Sequence, residues 1–175
     1  MYQKYAGFEK ILMKFEKFFV MIAFVLIFIT VVIQVVQRAF NLPIPDTSDL
    51  SIIAQSVFTF MCVGMLVNTQ GHITIEVHKM IKNREFLYIV EMIKNVVTLI
   101  FAGLFIYLGY DLAAYAITGG TATMAMRIPL WIPYGAMLIG LIFMVLHTIG
   151  EMMRLQYCKK HDLPFAEEED IESMR

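Results

Sequence analysis

Apolar residues in this chain gather into four long runs, at 18–36, 50–67, 90–110 and 129–150, separated by short polar breaks. Each run approaches the roughly 20 residues that cross a ~30 Å hydrocarbon core as a helix, the one unpaired segment that bonds all its own backbone groups away from water. The pattern predicts an all-α integral membrane protein with four transmembrane helices. The chain reads as one domain over 1–175, with an acidic tail at 162–175 that forms a solvated end.

Two shorter patterns have helical spacing. Phe8, Ile11, Leu12, Phe15, Phe18 and Phe19 recur at three and four, opposite Glu9, Lys10, Lys14, Glu16 and Lys17. This predicts an interfacial helix on the cytoplasmic side running into the first span, its charges turned to water. Ile73, Val77, Met80 and Ile81, backed by Glu76, Lys79, Lys82 and Asn83, predict a second surface helix within 73–86.

Composition agrees with a lipid solvent: 59% hydrophobic and 17% charged residues, with 14 Phe and 14 Met, exceed what a soluble core requires. The net charge of −1 matters less than its distribution. Lys4, Lys10, Lys14 and Lys17 precede the first span, Lys79, Lys82 and Arg84 lie between the second and third, and Arg154, Lys159, Lys160 and Arg175 follow the fourth. The other two loops hold only Arg38 and Arg127. Short basic loops stay cytoplasmic, so both termini are expected inside, with 37–49 and 111–128 outside. The first span is too long for a signal-peptide core and no small-residue cleavage site follows it, so it is expected to remain as an anchor. Cys62 and Cys158 lie too far apart in this topology to pair.

Candidate chemistry is sparse. No phosphate-cradling glycine loop, cysteine pair at metal spacing or nucleophile set is present, so no enzyme, no cofactor, no metal site and no nucleic-acid partner is expected. A haem between helices needs histidines at matching depth on two spans, and His147 alone is placed for it; an interfacial histidine is the plainer reading. Glu91 with Lys94, and Asp111, are span-end charges of the kind that pair or snorkel. No ionisable residue lies mid-span, which argues against a self-sufficient exporter. Ser51, Gln55, Ser56 and Thr59 give the second span one polar face suited to helix packing, and Ala136 with Gly140 give the fourth a place of close approach. Pro133 falls in a first helical turn, where its missing donor is harmless.

The loops are more specific than the spans. Gly71-His72-Ile73-Thr74-Ile75-Glu76 resembles the Gly-x-His-Ile-x-(Val/Ile)-Asp stretch of the small membrane subunit, DctQ type, of tripartite ATP-independent periplasmic (TRAP) transporters. Thr123-Met124-Ala125-Met126-Arg127-Ile128-Pro129-Leu130-Trp131, followed by Tyr134, resembles that family's Thr-x-Ala-Leu-x-Ile-Pro-x-Trp element. Arg38-Ala39-Phe40-Asn41-Leu42-Pro43 is similar to its exit from the first span. Relatives open the second span with a Trp and paired acids, where Pro45-Asp46-Thr47-Ser48-Asp49-Leu50 has one acid at that place and no Trp, and the basic residue before Gly71 is also missing.

The resemblance implies a small, non-catalytic scaffold subunit in a bacterial inner membrane. It implies a large membrane subunit (DctM/SiaM type) that holds the sodium and substrate sites, and a periplasmic substrate-binding protein (DctP/SiaP type) that delivers small organic acids of the C4-dicarboxylate or sialic acid class. Family-motif or partner-interface candidates are then Arg38, Asp46, Asp49, Gly71, His72, Glu76, Thr123, Arg127, Pro129, Trp131, Tyr134 and Gly140. The alternative is a membrane scaffold or assembly protein unrelated to TRAP transport.

Overall fold

The computed structural model describes residues 2–43, 46–68, 84–161 and 163. They form four helices: α1 (Tyr2–Phe40), α2 (Ser48–Asn68), α3 (Arg84–Thr118) and α4 (Trp131–Lys160). All four are long and apolar enough to cross a membrane, so the chain is an all-α, multi-pass membrane protein. Gly71, His72, Glu76 and the surface helix expected from Ile73 lie outside the described residues.

Helix length decides what projects from the bilayer. At 1.5 Å per residue the 21 residues of α2 span about 32 Å, close to the hydrocarbon thickness, whereas the 39, 35 and 30 residues of α1, α3 and α4 reach about 58, 52 and 45 Å. The apolar runs are therefore the middles of longer helices. On α1 and α4 the excess falls mostly where both chain ends lie, called here the terminus end, whereas α3 overshoots its run on both sides; the side opposite the terminus end is the loop end.

Loop-end helix stops follow one design. Asn41 turns left-handed at φ 48° and Leu42 N–H donates back to Gln37 O at 3.1 Å; Gly120 does the same at φ 58°, with Thr121 N–H to Ala116 O at 3.2 Å. These six-to-one bonds satisfy carbonyls the helix end leaves open, and Pro43 prevents α1 from continuing. Asp46 accepts the Ser48 N–H at 2.9 Å and so opens α2.

The helices pack as a row, α1 against α2, α2 against α4, α4 against α3, with a lesser α1–α4 contact. No substantial contact joins α1 to α3, so α2 and α4 are central and α1 and α3 peripheral. Burial recurs every seven residues. On α1 it falls on Glu16, Ala23 and Thr30; on α3 on Asn95, Ala102, Gly109 and Ala116; on α4 on Pro133, Gly140, His147 and Arg154, beside Leu141, Thr148 and Leu155. A seven-residue period keeps one narrow face on the neighbour, the geometry of left-handed crossings near +20°. The packed faces are small or polar while Phe, Ile and Val face outward, as expected where lipid removes the hydrophobic drive for helices to associate. At Gly140 the approach is closest: a Cβ there would stand 2.6 Å from the Phe60 carbonyl carbon of α2.

Candidate functional site

At the terminus end, polar residues of α1 and α4 meet around one buried histidine. His147 is fully buried; its Nδ1 lies 3.1 Å from Glu9 Oε1 and its Nε2 2.9 Å from Glu16 Oε2. Glu16 is also fully buried, and its second oxygen has no hydrogen-bond partner among the described residues. Filling both links needs two hydrogens shared among one imidazole and two carboxyls, which leaves the group a net charge of −1. Tyr5 donates to Leu146 O at 2.6 Å. Burial, reinforced by the Glu9 carboxylate, holds its phenol above the ordinary value, so Tyr5 stays a donor.

Residues 5 to 16 rise about 17 Å along α1, yet they meet only about 6 Å of α4, between residues 146 and 150. The two helices therefore cross. Gly150 makes this feasible, because a Cβ there would stand 2.7 Å from the Tyr5 ring and 2.8 Å from Glu9 Oε1. This corrects one part of the reading of the N-terminal segment, that all five of its charges turn to water. It is continuous with the span, and it turns Glu9 and Glu16 inward while Phe8, Ile11, Phe15 and Phe18 stay 50–70% exposed. The physical reason is that a carboxylate has a stronger claim on a buried imidazole than a phenyl ring has on a narrow, polar helix face. It also corrects the reading of His147 as a simple interfacial histidine.

A second polar layer lies where α3 meets α4, with ion pairs inside each helix and Arg84 and Lys159 joining the two. Arg154 binds Glu151 through Nε and Nη2, both at 2.7 Å and both residues buried. Glu91 is buried and pairs with Lys94, and Asn95 beside them is buried too. Arg84 Nη2 donates to the carbonyls of Cys158 and Leu163 at 3.1 and 3.0 Å, and Lys159 Nζ reaches Glu85 at 2.9 Å and the Tyr88 ring at 4.2 Å. Among the described residues no group of His, Cys, Asp and Glu has a metal-holding arrangement.

At the loop end, residues 121–130 fold into a tight hairpin. Thr123 N–H donates to Ile128 O at 2.9 Å, Ile128 N–H to the Thr123 hydroxyl at 3.0 Å, and Leu130 N–H to Thr121 O at 3.0 Å, with a bridge between Ala122 and Pro129. Arg127 is held left-handed at φ 57°, a conformation that costs a side-chain-bearing residue about 1 kcal/mol or more. Asp49, buried in the first turn of α2, offsets that cost: its Oδ2 accepts the N–H of Ala125 at 2.9 Å and of Met126 at 2.8 Å. The carboxylate of Asp49 thus points into its own chain, while Asp46, Arg127 and Arg38 are exposed. Trp131 opens α4, about half exposed, with Tyr134 half-buried one turn on.

The polar face of α2 divides. Ser51 accepts from Gln34 Nε2 at 2.6 Å and lies 3.1 Å from the Thr30 hydroxyl, tying α2 to α1; Ser56 bonds its own helix at Ile52 O. Gln55 and Thr59, one turn apart, are exposed and bond nothing among the described residues. They sit about 10 and 16 Å along a span of about 32 Å.

Compared with known protein families, the chain matches the model described as Tripartite ATP-independent periplasmic transporters, DctQ component, over residues 27–157, three quarters of its length. The matched part holds the α1 exit, the Asp49-pinned hairpin, Gly140 and His147, but neither Glu9 nor Glu16. No curated protein and no solved structure matches the chain.

Proposed function

We propose a role for this chain from the premise that it belongs to the DctQ component family of tripartite ATP-independent periplasmic transporters: it is the small, non-catalytic subunit that packs against the large membrane subunit and fixes it in the bilayer. The complex is a sodium-coupled symporter in a bacterial inner membrane. It imports small organic acids, of the C4-dicarboxylate or sialic acid class, handed over by a periplasmic binding protein. Sodium and substrate bind the large subunit. Both termini face the cytoplasm, on the evidence of lysine placement.

The observation that carries the packing role is the free polar pair on α2. An amide and a hydroxyl facing lipid at mid-span are costly, because hydrocarbon offers no hydrogen bonds. A helix of the large subunit with a matching donor or acceptor removes that cost, and the rest of the row offers apolar surface on both sides for it to cover. The experiment is co-expression with the large subunit, purification through a tag on this chain, and uptake in proteoliposomes supplied with the binding protein. The large subunit should co-purify, and sodium-driven uptake should need both membrane chains. Uptake by this chain alone, or failure of the two to associate, overturns the assignment.

A further inference from the structure

From Gly7 to Phe18 the structure sorts charge by sign. Both acids of this stretch, Glu9 and Glu16, turn toward His147, whereas Lys10, Lys14 and Lys17 are exposed. The outward surface of this stretch of α1 is therefore purely cationic where it is charged, although its sequence alternates in sign. Beside the lysines, about 100° around the helix, runs the exposed stripe Phe8, Ile11, Phe15 and Phe18. That stripe continues without a break into the exposed apolar face of the span at Met21, Ile22 and Val25. The segment also crosses α4 at the terminus end instead of following it outward, and residues 1–26 fall outside the family match.

We infer that residues 7–18 of α1 form a docking surface for anionic phospholipid headgroups, with Lys10, Lys14 and Lys17 on the phosphates and the Phe8–Phe18 stripe at the acyl boundary. Three features of the segment select a lipid occupant. The ammonium groups complement a negatively charged surface. The stripe is continuous with surface that lies in hydrocarbon. Finally, the acids that would repel phosphate are held away by the histidine, so the Glu9–His147–Glu16 link keeps the helix turned to this face. The inference does not rest on the transport role and holds for the chain alone.

Spin-labelled phosphatidylglycerol and phosphatidylcholine, each diluted into phosphatidylcholine vesicles holding the full-length chain, measure the preference directly as the fraction of label immobilised at the protein surface. Phosphatidylglycerol should be preferred, the preference should weaken with added salt, and the K10Q/K14Q/K17Q variant should lose it altogether, given a contribution of roughly fivefold per lysine at an anionic surface. The K10R/K14R/K17R variant should keep it. Should the glutamine variant fail to fold, single K10Q, K14Q and K17Q variants should each lower the preference part of the way. Equal preference in parent and lysine variants overturns the inference, as does a preference abolished instead by K159Q/K160Q at the other basic site, or one absent from the parent because this face is reserved for a protein.

Discussion

Removing the His147 imidazole should be among the most damaging single changes outside the packed glycines. In His147→Leu, a side chain of similar bulk replaces the ring, so little cavity forms, but Glu16 is stranded. It is fully buried, and among the described residues one of its oxygens already lacks a partner and the other loses the one it has, 2.9 Å away. Breaking a buried pair from one side costs about 3–5 kcal/mol, most of it from the uncompensated charge. At roughly 2–4 °C per kcal/mol for a domain of this size, the melting midpoint of the detergent-solubilised chain should fall on the order of 6–20 °C. Glu9 contributes less, because its side chain is 16% exposed and water can reach it.

If stranding dominates, removing the stranded charge restores stability, so Glu16→Gln combined with His147→Leu should melt above His147→Leu alone. The double change should cost less than the sum of the two single changes by about 0.5–3 kcal/mol. The reasoning is refuted if His147→Leu melts within about 2 °C of the parent, or if the two substitutions simply add.

Other consequences can be checked separately. Asp49→Asn keeps an acceptor but loses the charge that holds two amides, so hydrogen exchange at Ala125 and Met126 should quicken roughly tenfold or more while distant amides stay protected; unchanged protection would mean the hairpin holds itself. Gly140→Ala drives a methyl into the Phe60 backbone and should cost about 1–3 kcal/mol, whereas Gly103→Ala, with nothing within 4 Å, should stabilise by up to about 1 kcal/mol through helix propensity; equal effects would contradict the close α2–α4 approach. Gln55→Leu with Thr59→Val should leave the melting of the lone chain unchanged, since neither side chain has a partner among the described residues, and should reduce recovery of the large subunit in pull-downs.

The sequence made the solvent, the number of spans and the loop-end motifs legible, because hydropathy over twenty residues and turn chemistry over six are local signals. Arg38 to Pro43 and Thr123 to Trp131 stand out as motifs, and the structure makes the first a left-handed helix stop at Asn41 and the second a hairpin. What it obscured was the inward face of α1. Glu9, Glu16, Ala23, Thr30 and Gln37 stand seven apart, and the middle three of them are buried. A search for apolar periodicity passes over such a row, since it assumes that the oily side is the inside.

In lipid that assumption fails. Hydrocarbon is as good a neighbour as Leu, so packing is decided by close backbone approach and by polar groups that must find one another. Scanning α1, α3 and α4 for small or polar residues at intervals of seven would have marked Glu16, Asn95, Gly140 and His147 together, from sequence alone. It would still have left open which carboxylates meet the histidine, because that depends on α1 crossing α4 over Gly150, a tertiary fact without a local signature. The same crossing turns an acid-and-lysine helix into one that shows only lysine. Sorting charge by sign in this way requires turning two carboxylates, one of them fully buried, onto one histidine, and it gives the terminus end a cationic, apolar flank that no count of its charges would reveal.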